Sequence, residues 1–205
     1  MTSRPRCTWA GADRPAPDHA MVAYHDDEWG VPVHDDTELF ERLVLESFQA
    51  GLSWSTILRK RTAFRTAFRG FDPPVVAAFG DADASRLMAD AGIVRNRAKI
   101  DASIGNAARF LETVEAFGSF SAYLGSLVPP PPARRPLTAT LADVPATTPA
   151  SDALSADLRR RGFRFVGSTI VYAFMQSVGL VDDHVPGCFR YRGCRSDHTS
   201  LPLTR

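Results

Sequence analysis

An all-α fold is what this sequence predicts, on three observations. Apolar residues recur every three or four positions, no stretch alternates with period two, and capping or stop residues separate the apolar segments. Leu39, Phe40, Leu43, Val44 and Phe48 mark one stripe, and Trp54, Ile57, Leu58, Phe64 and Phe68 a second. Asp81 or Asp83 is placed to cap a short helix that carries Leu87 and Met88 and stops at Gly92. Ile100, Ile104, Ala107, Leu111 and Val114 step along a longer helix. Thr148-Pro149 with Ser151 opens a helix that ends at Gly162, and Gly167 to Val178 gives one more. The proline run from Val128 to Pro136 cannot be helical, because proline lacks the N–H and clashes with the preceding turn. It reads as a surface crossover between two helical lobes. One domain is expected over residues 1–188, with a loose polar tail over 189–205.

Composition narrows the class. At 205 residues and 44% hydrophobic, the chain can bury a core, which excludes wholesale disorder. No run approaches the ~18 apolar residues of a membrane span, and Arg4 and Arg6 have no apolar stretch behind them to make a signal peptide. Three cysteines (Cys7, Cys188, Cys194) make no disulfide framework, so a reduced, cytoplasmic protein is expected. Charge is uneven. Residues 1–58 carry ten acids against four bases, whereas Leu58–Gly70, Arg95–Lys99 and Arg159–Arg164 are basic clusters. Together the clusters point toward nucleic acid as well as to ordinary solvated faces.

Three groups of residues can carry chemistry. Ala84–Ala108 resembles a helix–hairpin–helix unit, in which Ile93 and Val94 plug the core while hairpin amides and a helix N-terminus near Asn96 face a phosphate. Cysteine and histidine offer two tetrahedral zinc sets, Cys7, His25, His184 and Cys188, or His184, Cys188, Cys194 and His198. A chain without metal is the third option. Either set would be closed, hence structural. Glu46 shares a helical strip with Leu39, Leu43 and Ala50, as a rim carboxylate or as one facing a pocket despite the desolvation cost. Trp9, Tyr24, Trp29 and Trp54 surround it in sequence and could pack the core or form a slot for a flat, electron-poor ring.

Cys7-x-Trp9, Tyr24-His25-Asp26-Asp27-Glu28-Trp29-Gly30-Val31-Pro32, the Leu45–Trp54 segment, Arg161–Gly167, and Asp183-His184 with Cys188 resemble the bacterial DNA-3-methyladenine glycosylase I family. The likeness runs from Cys7 to about Cys188. It implies a monomeric helix–hairpin–helix enzyme that excises N3-methyladenine from alkylated double-stranded DNA and binds the free base as product. It also implies one structural zinc on Cys7, His25, His184 and Cys188, joining the N- and C-terminal regions. Glu46 and Tyr24 match the residues that hydrogen-bond the extruded base, Trp54 the one that stacks on it, and Trp9 and Trp29 other pocket aromatics. Leu52, after Gly51, matches the side chain that wedges into the duplex, and Arg95, Arg97 and Lys99 are the expected phosphate contacts. Met21 and Phe48 depart from the family pattern, at a pocket wall and beside Glu46. No aspartate equivalent to the sugar-cation stabiliser of the wider superfamily stands in Val166–Val178.

The chemistry implied is undemanding for the protein. Methylation at N3 makes the base cationic and a good leaving group, and a damaged base flips out for only a few kcal/mol. Three rivals remain at this level. A non-catalytic zinc-stabilised DNA-binding module would not need Glu46, a related glycosylase would change the pocket, and a catalytic zinc hydrolase would need an open coordination position.

Overall fold

The computed structural model describes residues 4–11, 15–129 and 138–191. Among these the regular elements are nine α-helices and short 3-10 turns, with no strand: α1 (His19–Asp27), α2 (Asp36–Gln49), α3 (Trp54–Ala67), α4 (Pro73–Ala77), α5 (Asp81–Ala89), α6 (Arg97–Phe117), α7 (Phe120–Leu127), α8 (Pro149–Arg160) and α9 (Ser168–Ser177). Most of the proline run, Cys194, His198 and the tail beyond Tyr191 lie outside the described residues.

Helix α2 is the axis of the molecule. Asp35 caps it by accepting the Glu38 N–H, and Asp36 and Glu38 set negative charge against the positive end of its dipole. Every residue from Leu39 to Phe48 is buried, so this helix is enclosed on all sides, by α3, α6, α7 and α9. Three of its buried polar residues find partners inside the protein. Glu41 takes Arg65, Arg42 takes Glu28 and Glu38, and the Ser47 hydroxyl donates to a main-chain oxygen. Phe48 is fully buried against Phe64 and Phe68, so its departure from the family pattern is a packing choice.

The other caps follow the sequence closely. Ser53 caps α3, Asn96 caps α6, Ser119 caps α7, and Thr148 with Ser151 forms a capping box behind Pro149 on α8. On α5 the N-cap is Gly80 rather than either aspartate; Asp83 instead accepts the Gly80 N–H. Helices α1, α4 and α7 are additions to the sequence reading, all nine residues or shorter.

The chain's ends are sewn together. Gly30 and Val33 donate backbone N–H groups to the carbonyls of Gln176 and Val178, and Phe189 donates to Pro5. Gly179, at φ +72°, lies so close to Val31 and Pro32 that an added Cβ would sit 2.4 Å from a backbone atom. The body therefore runs past residue 188. Phe189, where the loose tail is expected to begin, packs under the guanidinium groups of Arg4 and Arg6.

Candidate active site

The 3-10 turn Thr8–Ala10, helix α1 and the loop after α1 carry Trp9, Tyr24 and Trp29, α2 supplies the carboxylate, α3 brings Trp54, and α9 closes the far side. A cavity of about 480 Å³ results, lined by Trp9, Met21, Tyr24, Trp29, Glu46, Gln49, Trp54, Leu141, Val144, Ala173 and Gln176. All five residues expected at the base site stand in this wall, and Met21 joins them. Tyr24 and Trp54 rings are 5.1 Å apart, and Trp9 packs edge-on against Trp29 at 5.0 Å.

Glu46 is the chemical centre of the cavity. It is 3% exposed, so the rim alternative is excluded. Its Oε2 is buried without a hydrogen-bond partner, as is Nε1 of Trp54. An orphaned acceptor and an orphaned donor in one cavity wall are costly unless something else meets them. Burial pushes the Glu46 carboxyl up to about 8, with the Arg42 charge and the Ser177 hydroxyl pulling the other way. Burial, with Glu46 beside it, likewise holds the Tyr24 phenol well above its ordinary value, so Tyr24 is a neutral hydroxyl. Arg42, one turn before Glu46, stands 5.8 Å over the Tyr24 ring. Neither Arg42 nor Gln176 is singled out by sequence spacing, because both look like ordinary solvated helix residues.

A smaller cavity of about 230 Å³ adjoins the first, sharing Glu46, Gln49 and Ala173, and continues along Gly51, Leu52, Thr169 and Ile170. Gly51, at φ +81°, turns the chain between α2 and α3 and leaves Leu52 41% exposed at the rim.

The expected phosphate contacts divide. Arg95 is exposed. Arg97 is exposed too, with Asp101 and Asp81 as partners. Lys99 is a correction: it is buried, and its ammonium donates to the carbonyls of Phe48 and Ala50 at 2.9 and 2.7 Å. It neutralises the exposed carbonyl end of α2 and fastens the Gly51–Leu52 turn to α6. Much of the other basic surface is also spoken for. Arg61 grips Glu28, Arg160 and Arg161 grip Asp157, and Lys60 donates to Ala91 and Gly92.

Beneath the aromatic wall lies a second constellation. Cys7, His25, His184 and Cys188 are all buried, and one donor atom of each falls within 4.8 Å of all the others. Sulfur-to-nitrogen separations are 3.3 Å (Cys188 to His25), 3.5 Å (Cys188 to His184) and 3.7 Å (Cys7 to His184). The remaining ring nitrogens are held from outside: His25 Nδ1 meets Asp26 at 2.8 Å, itself paired with Arg6, and His184 Nε2 meets the Trp29 carbonyl at 3.2 Å. That outer support is the usual dress of imidazoles that face a metal. Burial pushes the Cys7 thiol up to about 12, so a cation among the donors is what would make it a thiolate.

A helical fold with an aromatic, carboxylate-bearing cavity beside a closed cysteine–histidine cluster defines a class: an enzyme or receptor for a flat, electron-poor ring. Comparison with known proteins makes the class particular. The methyladenine glycosylase family matches residues 14–191, and the chain belongs to it. It is 49% identical over 188 residues to DNA-3-methyladenine glycosylase 1 of Escherichia coli K12, covering 92% of this chain and 97% of that one. To the DNA-3-methyladenine glycosylase of Haemophilus influenzae it is 43% identical, over 89% and 96%. Among solved structures, 3-methyladenine DNA glycosylase I of Staphylococcus aureus superposes with a TM-score of 0.80 at 36% identity, over 89% and 94%. A variant of a 3-methyladenine DNA glycosylase I in complex with 3-methyladenine does so equally well, at 36% identity over 89% and 95%.

Proposed function

We propose that this protein is a monofunctional DNA repair glycosylase that extrudes N3-methyladenine from alkylated double-stranded DNA and hydrolyses its N-glycosidic bond, leaving an abasic site. The observation that carries the reading is the buried, unpartnered Oε2 of Glu46 in a cavity walled by Trp54, Tyr24, Trp9 and Trp29. A cationic ring answers both halves of that wall, the aromatic faces through stacking and cation–π attraction and the carboxylate through a charge-assisted hydrogen bond. The neutral Tyr24 hydroxyl supplies a second polar contact.

In the reaction the electron pair of the C1′–N bond passes to the base, whose positive charge it cancels. Water adds to the resulting oxocarbenium-like sugar and loses a proton to solvent. Because the leaving group is already activated, the protein's work is selection and orientation: Glu46 favours the cation, Trp54 holds its plane, and Leu52 with Gly51 fills the space the nucleotide vacates. That division is consistent with the lack of an acid or base beyond Glu46 and Tyr24 in the described wall. Arg95 and Arg97, on the α5–α6 hairpin that Lys99 ties to the Gly51–Leu52 turn, are the proposed phosphate contacts. The uncapped first turn of α9, whose Thr169 and Ile170 line the smaller cavity, offers amides to a further phosphate, and an α8–α9 pair is a second hairpin of the same kind.

Cys7, His25, His184 and Cys188 would hold one zinc. Tetrahedral zinc with thiolate and imidazole ligands sets sulfur–nitrogen edges of about 3.5 Å, and the cluster's 3.3–3.7 Å fits. A four-ligand site leaves no position for water, so the metal would fasten the first residues to the loop after α9 and take no part in the reaction. The reading includes a monomer working in the reducing cytoplasm, in keeping with two free thiols in the cluster; among the described residues no helix is long and apolar enough to cross a membrane.

Calorimetric titration with free 3-methyladenine tests the pocket. Binding by the parent and roughly ten- to a hundredfold weaker binding by Glu46→Gln is the expected pair of results. Equal binding by both would remove Glu46 from the site.

A further inference from the structure

Gln176 stands in the cavity wall on the last turn of α9. Its Nε2 donates to Asp183 Oδ2 at 2.7 Å, and the same oxygen accepts the Tyr172 hydroxyl at 2.6 Å. Asp183 is buried, and a carboxylate oxygen only accepts. The amide nitrogen is therefore the atom on the Asp183 side, and the usual ambiguity of an amide flip does not arise. The carbonyl Oε1 is left as the end able to meet a ligand, with no hydrogen-bond partner among the described residues. A hydrogen-bonded amide in this setting is a fixed acceptor: to become a donor toward the cavity it would have to turn its oxygen onto Asp183.

Glu46 lacks that constancy. A carboxyl whose proton affinity burial has raised toward neutrality serves as acceptor when ionised and as donor when protonated, so by itself it separates an amino group from a carbonyl oxygen weakly. We infer that Gln176 is a specificity-determining residue, its Oε1 accepting from the exocyclic amine of a 6-aminopurine, with Asp183 and Tyr172 as the positioning pair that locks the amide. A 6-oxopurine such as 3-methylguanine would set oxygen against oxygen, which leaves two buried acceptors unpaired. The inference rests on the proposed excision of N3-methyladenine and adds to it the reason that the base must carry an amine.

The test compares parent and Gln176→Met on methylated DNA, with chromatography of the released 3-methyladenine and 3-methylguanine. Methionine keeps the length and apolar stem but cannot act as the fixed acceptor. Release of 3-methyladenine should fall about tenfold to a hundredfold while release of 3-methylguanine stays level or rises, so the ratio collapses. An unchanged ratio, whether both rates fall or neither does, overturns the inference, since a structural role would move both alike. A structure of the parent with free 3-methyladenine bound decides the matter without any variant. Oε1 within about 3.2 Å of the exocyclic nitrogen supports it, and an amine met only by other groups refutes it. If the parent releases no 3-methyladenine at all, the functional reading fails rather than the role of Gln176.

Discussion

The cysteine–histidine cluster and the aromatic cavity share Trp29 as a wall, yet they are built on opposite terms. In the cluster every ring nitrogen and sulfur has a neighbour, and an outer layer of Asp26, Arg6 and the Trp29 carbonyl holds the imidazoles in place. In the cavity, Glu46 Oε2 and Trp54 Nε1 are buried and unpartnered. Closure marks a part that the fold uses for itself, and unmet polarity marks a part kept for something that arrives. The two regions should therefore fail differently when disturbed.

The largest effect is expected at the cluster. Cys188→Ser, or removal of metal by a strong chelator, should destabilise the fold by several kcal/mol, because metal binding to such a site is folding free energy. Metal content and thermal unfolding check it, and Cys194→Ser should change neither. Zinc lost from Cys194→Ser would overturn the assignment.

At the cavity the fold should survive and the chemistry should not. Glu46→Gln places an NH₂ where an acceptor is wanted and removes the charge opposite the cationic base. Single-turnover base release should fall roughly ten- to a hundredfold with DNA affinity retained. The stability of the free protein should move the other way with pH. Folding raises the Glu46 pKa from an ordinary 4.5 to about 8, so the folded state holds a proton that the unfolded state has lost between those values. The parent then loses stability as pH rises through that window, and Glu46→Gln, which has no proton to lose, does not. Relative to the parent, the variant's melting temperature should rise between about pH 4.5 and about pH 8 and level off above that. A constant gap would mean Glu46 is ionised throughout.

Smaller effects lie at the margins. Tyr24→Phe deletes one neutral hydrogen bond and keeps the ring, for a loss of about 1 kcal/mol in base binding or excision. Arg95→Ala should flatten the salt dependence of DNA binding by about one phosphate contact, whereas Lys99→Met should change stability rather than salt slope, since its ammonium already serves Phe48 and Ala50. Identical slopes for parent and Arg95→Ala would place the phosphate contacts elsewhere.

What the sequence revealed tracks these two building styles. Cys7, His25, His184 and Cys188 are chemically rare residues, so their identity was legible even though spacing alone admitted Cys194 and His198. Glu46 was visible as a carboxylate on an apolar strip, but its depth was not, because helical phase cannot say that α2 is enclosed on every side. Lys99 was misread for the converse reason. Beside Ile100 at the start of α6 it looks like a surface cation, and only the approach of α2's last carbonyls draws it inward. Gln176 is silent, and Asp183 shows only as the motif residue before His184, since a seven-residue separation across a helix end carries no period to notice. Helix α1, which brings Tyr24 and His25 to adjoining sites, was missed as an element because its apolar residues form no clear stripe.

The most direct test is to incubate the protein with methylated double-stranded DNA under single-turnover conditions and identify the released bases by chromatography. 3-Methyladenine should be the dominant product, with abasic sites appearing at the same rate and an intact strand until alkali is applied. Binding to the DNA with no base released would leave only a zinc-fastened binding module, and would contradict the glycosylase reading.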